Sequence, residues 1–192
     1  MSTLNSGHLA ARILALRTHT GPRVALRRGG SVATEHYAYP YLAPLWAGTG
    51  WARTPILRVA SLAATAFDIA DDPDVQLGQL LRRIALTDVP AGAPFETTRR
   101  SLARIGDRLV WAQIGDVDKL HLILRQRMLR TGLTEPAVSW RQVVETYLWW
   151  DQPNAERRRV HRRRLLETFY TPISDGGVDS VTPEAATTTA NK

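Results

Sequence analysis

The stretch VSWRQVVETYLWWDQPNAERRRVHRRRLLETFY, residues 138–170, holds two consecutive helical patterns and decides the fold class. Ser139 precedes the first pattern as a capping residue, and Gln142, three positions later, completes a capping box. The large apolar residues on one side of this helix are Trp140, Val143, Val144, Tyr147 and Trp150. Because this spacing is typical of an amphipathic helix, residues 139–150 are predicted to pack one face into a core.

The second pattern of that stretch, near residues 154–170, begins with six arginines within eight residues. At about 100° per residue, Arg158 and Arg162 share a sector with Leu165 and Phe169. Apolar packing takes over only in the last turns, so the first two turns are predicted to project beyond the core. Such a basic helix end is either a solvated face or a phosphate-binding surface.

Helical patterns also cover most of the chain outside this stretch, and no convincing series of strands is present. Gly21-Pro22 is predicted to end the first helix and to lead into a basic turn. Thr54-Pro55 is predicted to start an alanine-rich helix that runs through about Ala70 at the centre of a bundle. The predicted fold is therefore all-α.

The predicted architecture is two packed helical lobes that form an elongated helical bundle. The loop Pro90-Ala91-Gly92-Ala93-Pro94 is the predicted boundary between an N-terminal helical lobe, residues 1–90, and a C-terminal helical lobe, residues 91–172. Residues 173–192 are rich in Gly, Ser, Thr and Asp, which predicts a disordered tail.

The charge of the chain favours a polyanionic partner. It has 25 basic and 18 acidic residues, a net charge of +7, and only two of its basic residues, Lys119 and Lys192, are lysine. Arginine presents a planar fork that suits phosphate and a flat face that stacks on bases. A GC-rich genome would also favour arginine over lysine, but it would not explain the net charge.

The sequence shows no catalytic constellation, and the chain is predicted not to be an enzyme. Cysteine is absent, and the five histidines are scattered without metal-ligand spacing. The run from Asp68 to Asp74 lacks the glycine and glutamate of a calcium loop, so helix capping is the favoured interpretation. No cofactor and no metal are predicted. Without a recognisable signal peptide or membrane span, the expected location is cytoplasmic, with no membrane partner.

Arginines that recur in groups are the candidate nucleic-acid-binding residues. They are Arg27, Arg28, Arg99, Arg100, Arg104, Arg127, Arg130, Arg158 and Arg162. Arg100 and Arg104 are four apart on one helix face, where ordinary surface charge is the alternative interpretation. Arg127 and Arg130 are near a helix end, where the helix dipole also favours positive charge. Trp149 faces away from the predicted core side, which indicates either a second helix contact or a tryptophan that docks a partner or stacks on a base.

The order of these features resembles the small subunit of the type I-E CRISPR complex Cascade, the CasB family. Four segments carry the resemblance: ALRRGG at Ala25–Gly30, HYAYPYLAPLW at His36–Trp46, TRRSLARIGD at Thr98–Asp107, and the stretch at Val138–Tyr170. They cover most of residues 8–172. The insertion between Leu86 and Phe95 departs from the shorter members of that family.

The resemblance implies an all-helical, two-lobed, non-catalytic subunit of a complex built on a CRISPR RNA. The implied partners are a large subunit, a backbone of repeated subunits, a second copy of this chain, and the single-stranded DNA of the R-loop. Arg27 and Arg28 match a paired basic turn of the family, Arg99 and Arg100 a second basic pair, and Arg162 a basic position in the last helix. The rival interpretations are a free-standing helical DNA-binding regulator, a nuclease that uses the aspartate run, and a linker whose arginines contact protein or RNA.

Overall fold

The computed structural model describes residues 4–114 and 116–172, and within them the protein is built from nine helices and one two-residue strand pair. The helices are α1 (Ser6–Arg17), α2 (Thr20–Arg28), α3 (Tyr39–Leu42), α4 (Arg53–Thr65), α5 (Leu77–Leu86), α6 (Phe95–Gln113), α7 (Val117–Met128), α8 (Trp140–Trp150) and α9 (Ala155–Tyr170). The strands are β1 (Ala70–Asp71) and β2 (Ala137–Val138), and short 3₁₀ turns flank α3 and precede α4. The all-α fold class predicted from the sequence is confirmed.

Helix α4 lies at the centre of the fold, as its apolar sequence predicts. Every residue from Pro55 to Ala64 is buried, and α2, α7 and α8 pack around the helix. The helix ends at Thr65, earlier than the predicted end near Ala70, and Ile69 returns to the core after the break. A helix that is apolar on all sides is stable in water only when other elements surround it.

The prediction that Gly21-Pro22 ends the first helix is wrong. Helix α1 ends at Arg17, and Gly21-Pro22 lies in the first turn of α2. Proline is well tolerated there, because the first turn of a helix has no acceptors for its N–H groups and needs the φ value that proline already has. Arg27 and Arg28 therefore occupy the last turn of a helix instead of a loop.

The predicted capping box at Ser139 and Gln142 is also wrong. The Ser139 side chain accepts no capping hydrogen bond, and the Trp140 N–H donates instead to Asp71 Oδ1 at 2.9 Å. Asp71 reaches this position because β1 pairs in parallel with β2, which aligns it with Val138. An aspartate of the 68–74 run thus caps a helix, as the sequence favoured, but the helix is α8, which begins 69 residues further along the chain.

Helix α9 packs on α5, α6 and α8, and its buried side chains are Leu165 and Phe169, the apolar residues that the helical spacing indicated. The contact with α5 is close, because a Cβ atom at Gly78 would lie 2.6 Å from the backbone nitrogen of Phe169. The buried apolar residues form one cluster that draws on all the long helices on both sides of the 90–94 loop. The division into two lobes at this loop stays a prediction. The predicted disordered tail, residues 173–192, lies outside the described residues.

Candidate nucleic-acid interface

Helices α6 and α7 pack against each other and bring four arginines together. Arg108 Nη1 donates to Gln126 Oε1 at 2.7 Å, which fixes the α6 side chain next to α7. On the α7 side, Arg127 is half-buried, and its Nε is buried without a hydrogen-bond partner. Arg104 and Arg130 act on Arg127 electrostatically together with Arg108. We call Arg104, Arg108, Arg127 and Arg130 the α6–α7 arginine cluster.

The cluster is electrostatically unfavourable in the isolated chain. Burial lowers the pKa of Arg127 below its ordinary value, and the positive charges of Arg108, Arg104 and Arg130 lower it further. Mutual repulsion of this kind is relieved when a polyanion supplies negative charge between the guanidinium groups. The structure therefore brings together three residues that the sequence proposed separately, Arg104, Arg127 and Arg130. It adds Arg108, which the sequence reasoning missed although it is four residues beyond Arg104 on the same helix face.

The other two candidates on α6 differ in their contacts. Arg100 is exposed one helical turn before Arg104, so it extends the row of positive charge toward the start of the helix. Arg99 instead forms hydrogen bonds of 3.0 and 2.9 Å to Glu96, and both side chains are well exposed. A solvent-exposed pair of this kind is weak, and a phosphate can replace its carboxylate.

Arg27 and Arg28 extend into solvent from a firmly held backbone at the end of α2. Ser61 Oγ donates to the carbonyl oxygen of Arg27 at 2.9 Å, and Arg58 donates to that of Gly29 at 2.7 Å. The Arg28 guanidinium carbon lies 4.3 Å from the centre of the exposed Tyr37 ring. Two cations and an accessible aromatic ring thus share one rigid corner, a combination that suits a strand with unpaired bases.

A buried polar network centred on Arg58 holds the backbone that follows Arg27 and Arg28. Arg58 is 2% exposed and bonds both Glu35 and Asp118. Burial alone would raise the pKa of Glu35, but hydrogen bonds from Tyr39, Arg53 and Arg58 outweigh it and hold the pKa below its ordinary value. The Arg58 charge is therefore compensated internally, which distinguishes it from the exposed arginines around it.

Arg158 and Arg162 point toward the core side of α9, in line with the sector they share with Leu165 and Phe169. Arg158 Nη1 donates to the carbonyl oxygen of Gln152 at 2.9 Å. Arg162 donates to the carbonyl oxygens of Trp150 and Gln113, and burial lowers its pKa while the nearby Asp151 opposes that shift. Arg158 thus binds the loop that precedes α9, whereas Arg162 joins α9 to the ends of α8 and α6. A phosphate contact by either stays a prediction.

The outer face of the same helix carries arginines that the candidate residues did not include. Arg159 and Arg163 are exposed, four residues apart, and line a shallow groove. Its lining residues are Gln113, Ala155, Arg158, Arg159, Arg162, Arg163 and Leu166. Arg163 forms a 2.6 Å ion pair with Glu167 on the solvent side. The alternation of inward and outward arginines at helical spacing could have separated these two sets from the sequence alone.

Metal-ligating and membrane-spanning features are absent from the part of the chain that the structure describes. Within residues 4–114 and 116–172, no group of three or more histidine, aspartate or glutamate side chains is arranged to hold a metal ion. Over the same residues, no helix has the length and apolar character needed to cross a membrane.

The fold and the surface place the chain in a class of nearly all-helical proteins that carry clustered arginines, some of them without a carboxylate partner. The chain is similar in structure to a CRISPR-associated protein of the Cse2 family from Thermus thermophilus, known from its crystal structure. The TM-score is 0.61 at 19% sequence identity, over 88% of this chain and 99% of that one. No family model matches the chain, and neither does any curated protein. The comparison confirms the resemblance that the sequence motifs indicated, at the level of the fold.

Proposed function

We propose that the chain is a non-catalytic small subunit of an RNA-guided CRISPR surveillance complex, where its basic surface holds opened target DNA and stabilises the R-loop. The fold it shares with a Cse2-family protein supports the setting. The observation that carries the DNA-binding part is the α6–α7 arginine cluster, in which Arg127 is surrounded by like charges.

The energetics of R-loop formation make such a subunit useful. The heteroduplex that forms is about as stable as the DNA duplex that it replaces, so small contributions decide the outcome. Contacts to phosphates release counterions and stabilise the opened strands without reading their sequence. A rigid helical scaffold with exposed arginines provides these contacts, and it needs no catalytic group to do so.

The proposal includes the partners that this role requires. The chain would join a CRISPR RNA, a large subunit, backbone subunits and a second copy of itself in the cytoplasm, and it would contact the single-stranded DNA of the R-loop. The strand cleavage that follows would belong to another protein.

The proposal is tested with the full chain and with the complex that it forms when co-expressed with neighbouring CRISPR genes and a CRISPR RNA. The chain should co-purify with that complex, and R-loop lifetime on a matched target should fall several-fold when Arg104, Arg108 and Arg130 are changed together to alanine. The assembled complex should keep its composition. The proposal fails if the chain does not co-purify, or if the R-loop lifetime is unaffected at physiological salt.

Binding by the purified chain alone separates this function from that of a free-standing regulator. A small subunit should bind random single-stranded DNA weakly, with an affinity that falls steeply with salt. A regulator should instead select one duplex sequence by about a thousandfold or more over random DNA. Selection of a duplex site on that scale would contradict the proposed function.

A further inference from the structure

A cleft of about 600 Å³ opens between the segment 47–51 and the junction of α8 with α9. The residues that line it are Leu4, Ala47, Gly48, Thr49, Gly50, Trp51, Leu148, Trp149, Gln152 and Arg157. Its volume is in the range of roughly 300–1,000 Å³ that small-molecule sites occupy. The cleft shares no residue with the α6–α7 arginine cluster, so it is a separate site.

Two tryptophans leave part of their apolar surface open in this cleft. Trp51 is 38% exposed, and Trp149 is half-buried, with its ring stacked on His161 at 5.0 Å and 8° between the planes. Trp149 thus makes the contact with a second helix that was one interpretation of its position, and it also lines an accessible cleft. Its role in docking a partner or stacking on a base stays a prediction. A Cβ atom at Gly48, where φ is +78°, would have no other atom within 4 Å, so that side of the cleft is open.

The charge on the described lining of the cleft is positive. Arg157 is the charged residue among the described lining residues, and no carboxylate accompanies it there. Its guanidinium carbon lies 5.7 Å from the centre of the Trp149 ring. The cleft thus offers indole surface to a flat apolar group and a guanidinium to an anion, close enough for one small ligand to contact both.

We propose that this cleft binds a single unpaired nucleotide, with its base against Trp51 and Trp149 and its phosphate on Arg157. The inference rests on the proposed function and deepens it, because it makes the protein selective for strands whose bases are free. A nucleotide contains the flat ring and the anion in one unit. An aromatic side chain of a protein partner would cover the indoles but would leave Arg157 without a counter-charge.

The test compares two fluorescein-labelled oligonucleotides of about 12 residues, an oligothymidine and an abasic strand with the same phosphate backbone. Fluorescence anisotropy with the full chain should show at least about fivefold tighter binding of the oligothymidine, the lower end of what one stacked base contributes. Trp51→Ala should lower this preference severalfold, with any remainder due to the exposed Tyr37 ring, and leave affinity for the abasic strand unchanged. Trp51→Phe should retain most of it, and Phe95→Ala, an exposed aromatic residue outside the cleft, should have no effect.

The outcomes separate the two proposals. Equal affinity of the unmodified chain for both oligonucleotides overturns the cleft inference and leaves the proposed function standing. A Trp51→Ala variant that keeps the full preference for oligothymidine overturns it as well. If the chain binds neither strand at low salt, the nucleic-acid role fails together with the inference. Arg157→Ala should weaken binding of both strands, since its contact is with phosphate.

Discussion

The guanidinium of Arg162 donates to the backbone carbonyl oxygen of Trp150 at 2.5 Å and lies 4.9 Å from the centre of the Trp150 ring. A further nitrogen of the same group donates to the carbonyl oxygen of Gln113. Trp150 and Gln113 are the last residues of α8 and α6, where helix carbonyls have no partner within their own helix. One arginine of the most basic segment thus satisfies two helix ends and joins three helices.

Arg162→Ala is therefore expected to destabilise the fold. Loss of charged hydrogen bonds to half-buried carbonyls costs about 1.5–3 kcal/mol, and the carbonyls would have to find water instead. Urea unfolding followed by circular dichroism measures this change. Arg163→Ala is the matched control, because Arg163 is exposed and its ion pair with Glu167 lies in solvent, so its free energy of unfolding should change by about 0.5 kcal/mol or less. Similar losses in both variants would contradict the assignment.

The α6–α7 arginine cluster is expected to contribute to DNA binding and not to the stability of the fold. Arg108→Ala combined with Arg130→Ala removes positive charge around Arg127 and should leave stability unchanged or slightly higher. Affinity for single-stranded DNA should fall, and the slope of log affinity against log salt should decrease by about 1.4, since each lost phosphate contact accounts for about 0.7. Anisotropy titrations over a range of salt concentrations measure both quantities.

The control for the double variant of Arg108 and Arg130 removes two positive charges from other helices. Arg12 and Arg141 are exposed on α1 and α8, two helices that contribute no residue to the α6–α7 arginine cluster. Arg12→Ala combined with Arg141→Ala should reduce binding much less than the cluster variant. Equal losses in the two double variants would show that net charge alone, and not the cluster, determines binding.

Local periodicity explains what could be predicted from the sequence. The apolar spacing of α8, the nearly all-apolar character of α4 and the apolar end of α9 can each be read within one helix. The structure shows the apolar residues of all three buried. Pro22 led to a wrong helix end, because proline is compatible both with the end of one helix and with the start of the next. Only the position of the first turn distinguishes the two.

Contacts between distant segments explain what could not be predicted. The cap of α8 comes from Asp71, which a local capping rule has no means of finding. The joint position of Arg108 and Arg127 depends on how α6 packs against α7. The orientation of Arg162 was partly visible in its sector of the helix, but its acceptors at the ends of α6 and α8 were not. Sequence patterns found the basic residues, and packing separated those that face solvent from those that face carbonyls.

The buried side chain of His121 predicts a pH-dependent stability. It lies 3.1 Å from the Tyr147 hydroxyl, and burial, followed by the positive charges of Arg58 and Arg125, lowers its pKa to about 4. An unfolded histidine has a pKa of about 6.5 and takes up a proton first as the pH falls. His121 therefore does not lower the free energy of unfolding above about pH 6.5. Below that pH it lowers the free energy of unfolding progressively, by about 2.5 kcal/mol at pH 4.5.

His121→Gln removes this titration while it keeps a polar group beside Tyr147. Urea unfolding of both proteins between pH 7.5 and pH 4.5 should show a steeper loss of stability for the unmodified chain, by about 2.5 kcal/mol over that range. Carboxylates contribute alike to both proteins, so the difference between the two curves reports the histidine. Parallel curves would mean that His121 accepts a proton in the folded state as readily as in the unfolded one.

The contact of α5 with α9 depends on the absence of a side chain at Gly78. A Cβ atom there would overlap Thr168 Oγ1 and lie 2.6 Å from the backbone nitrogen of Phe169, and the backbone cannot move aside as a side chain could. Gly78→Ala should therefore displace α9 from its buried contact at Phe169, cost about 2 kcal/mol or more, and lower Tm by roughly 4–8 °C. Gly50→Ala is the matched control, because nothing lies within 4 Å of its Cβ position and its φ is outside the left-handed region. That control should melt at the original temperature or slightly above it, and a Gly78→Ala protein that melted with it would show that α5 and α9 do not pack this closely.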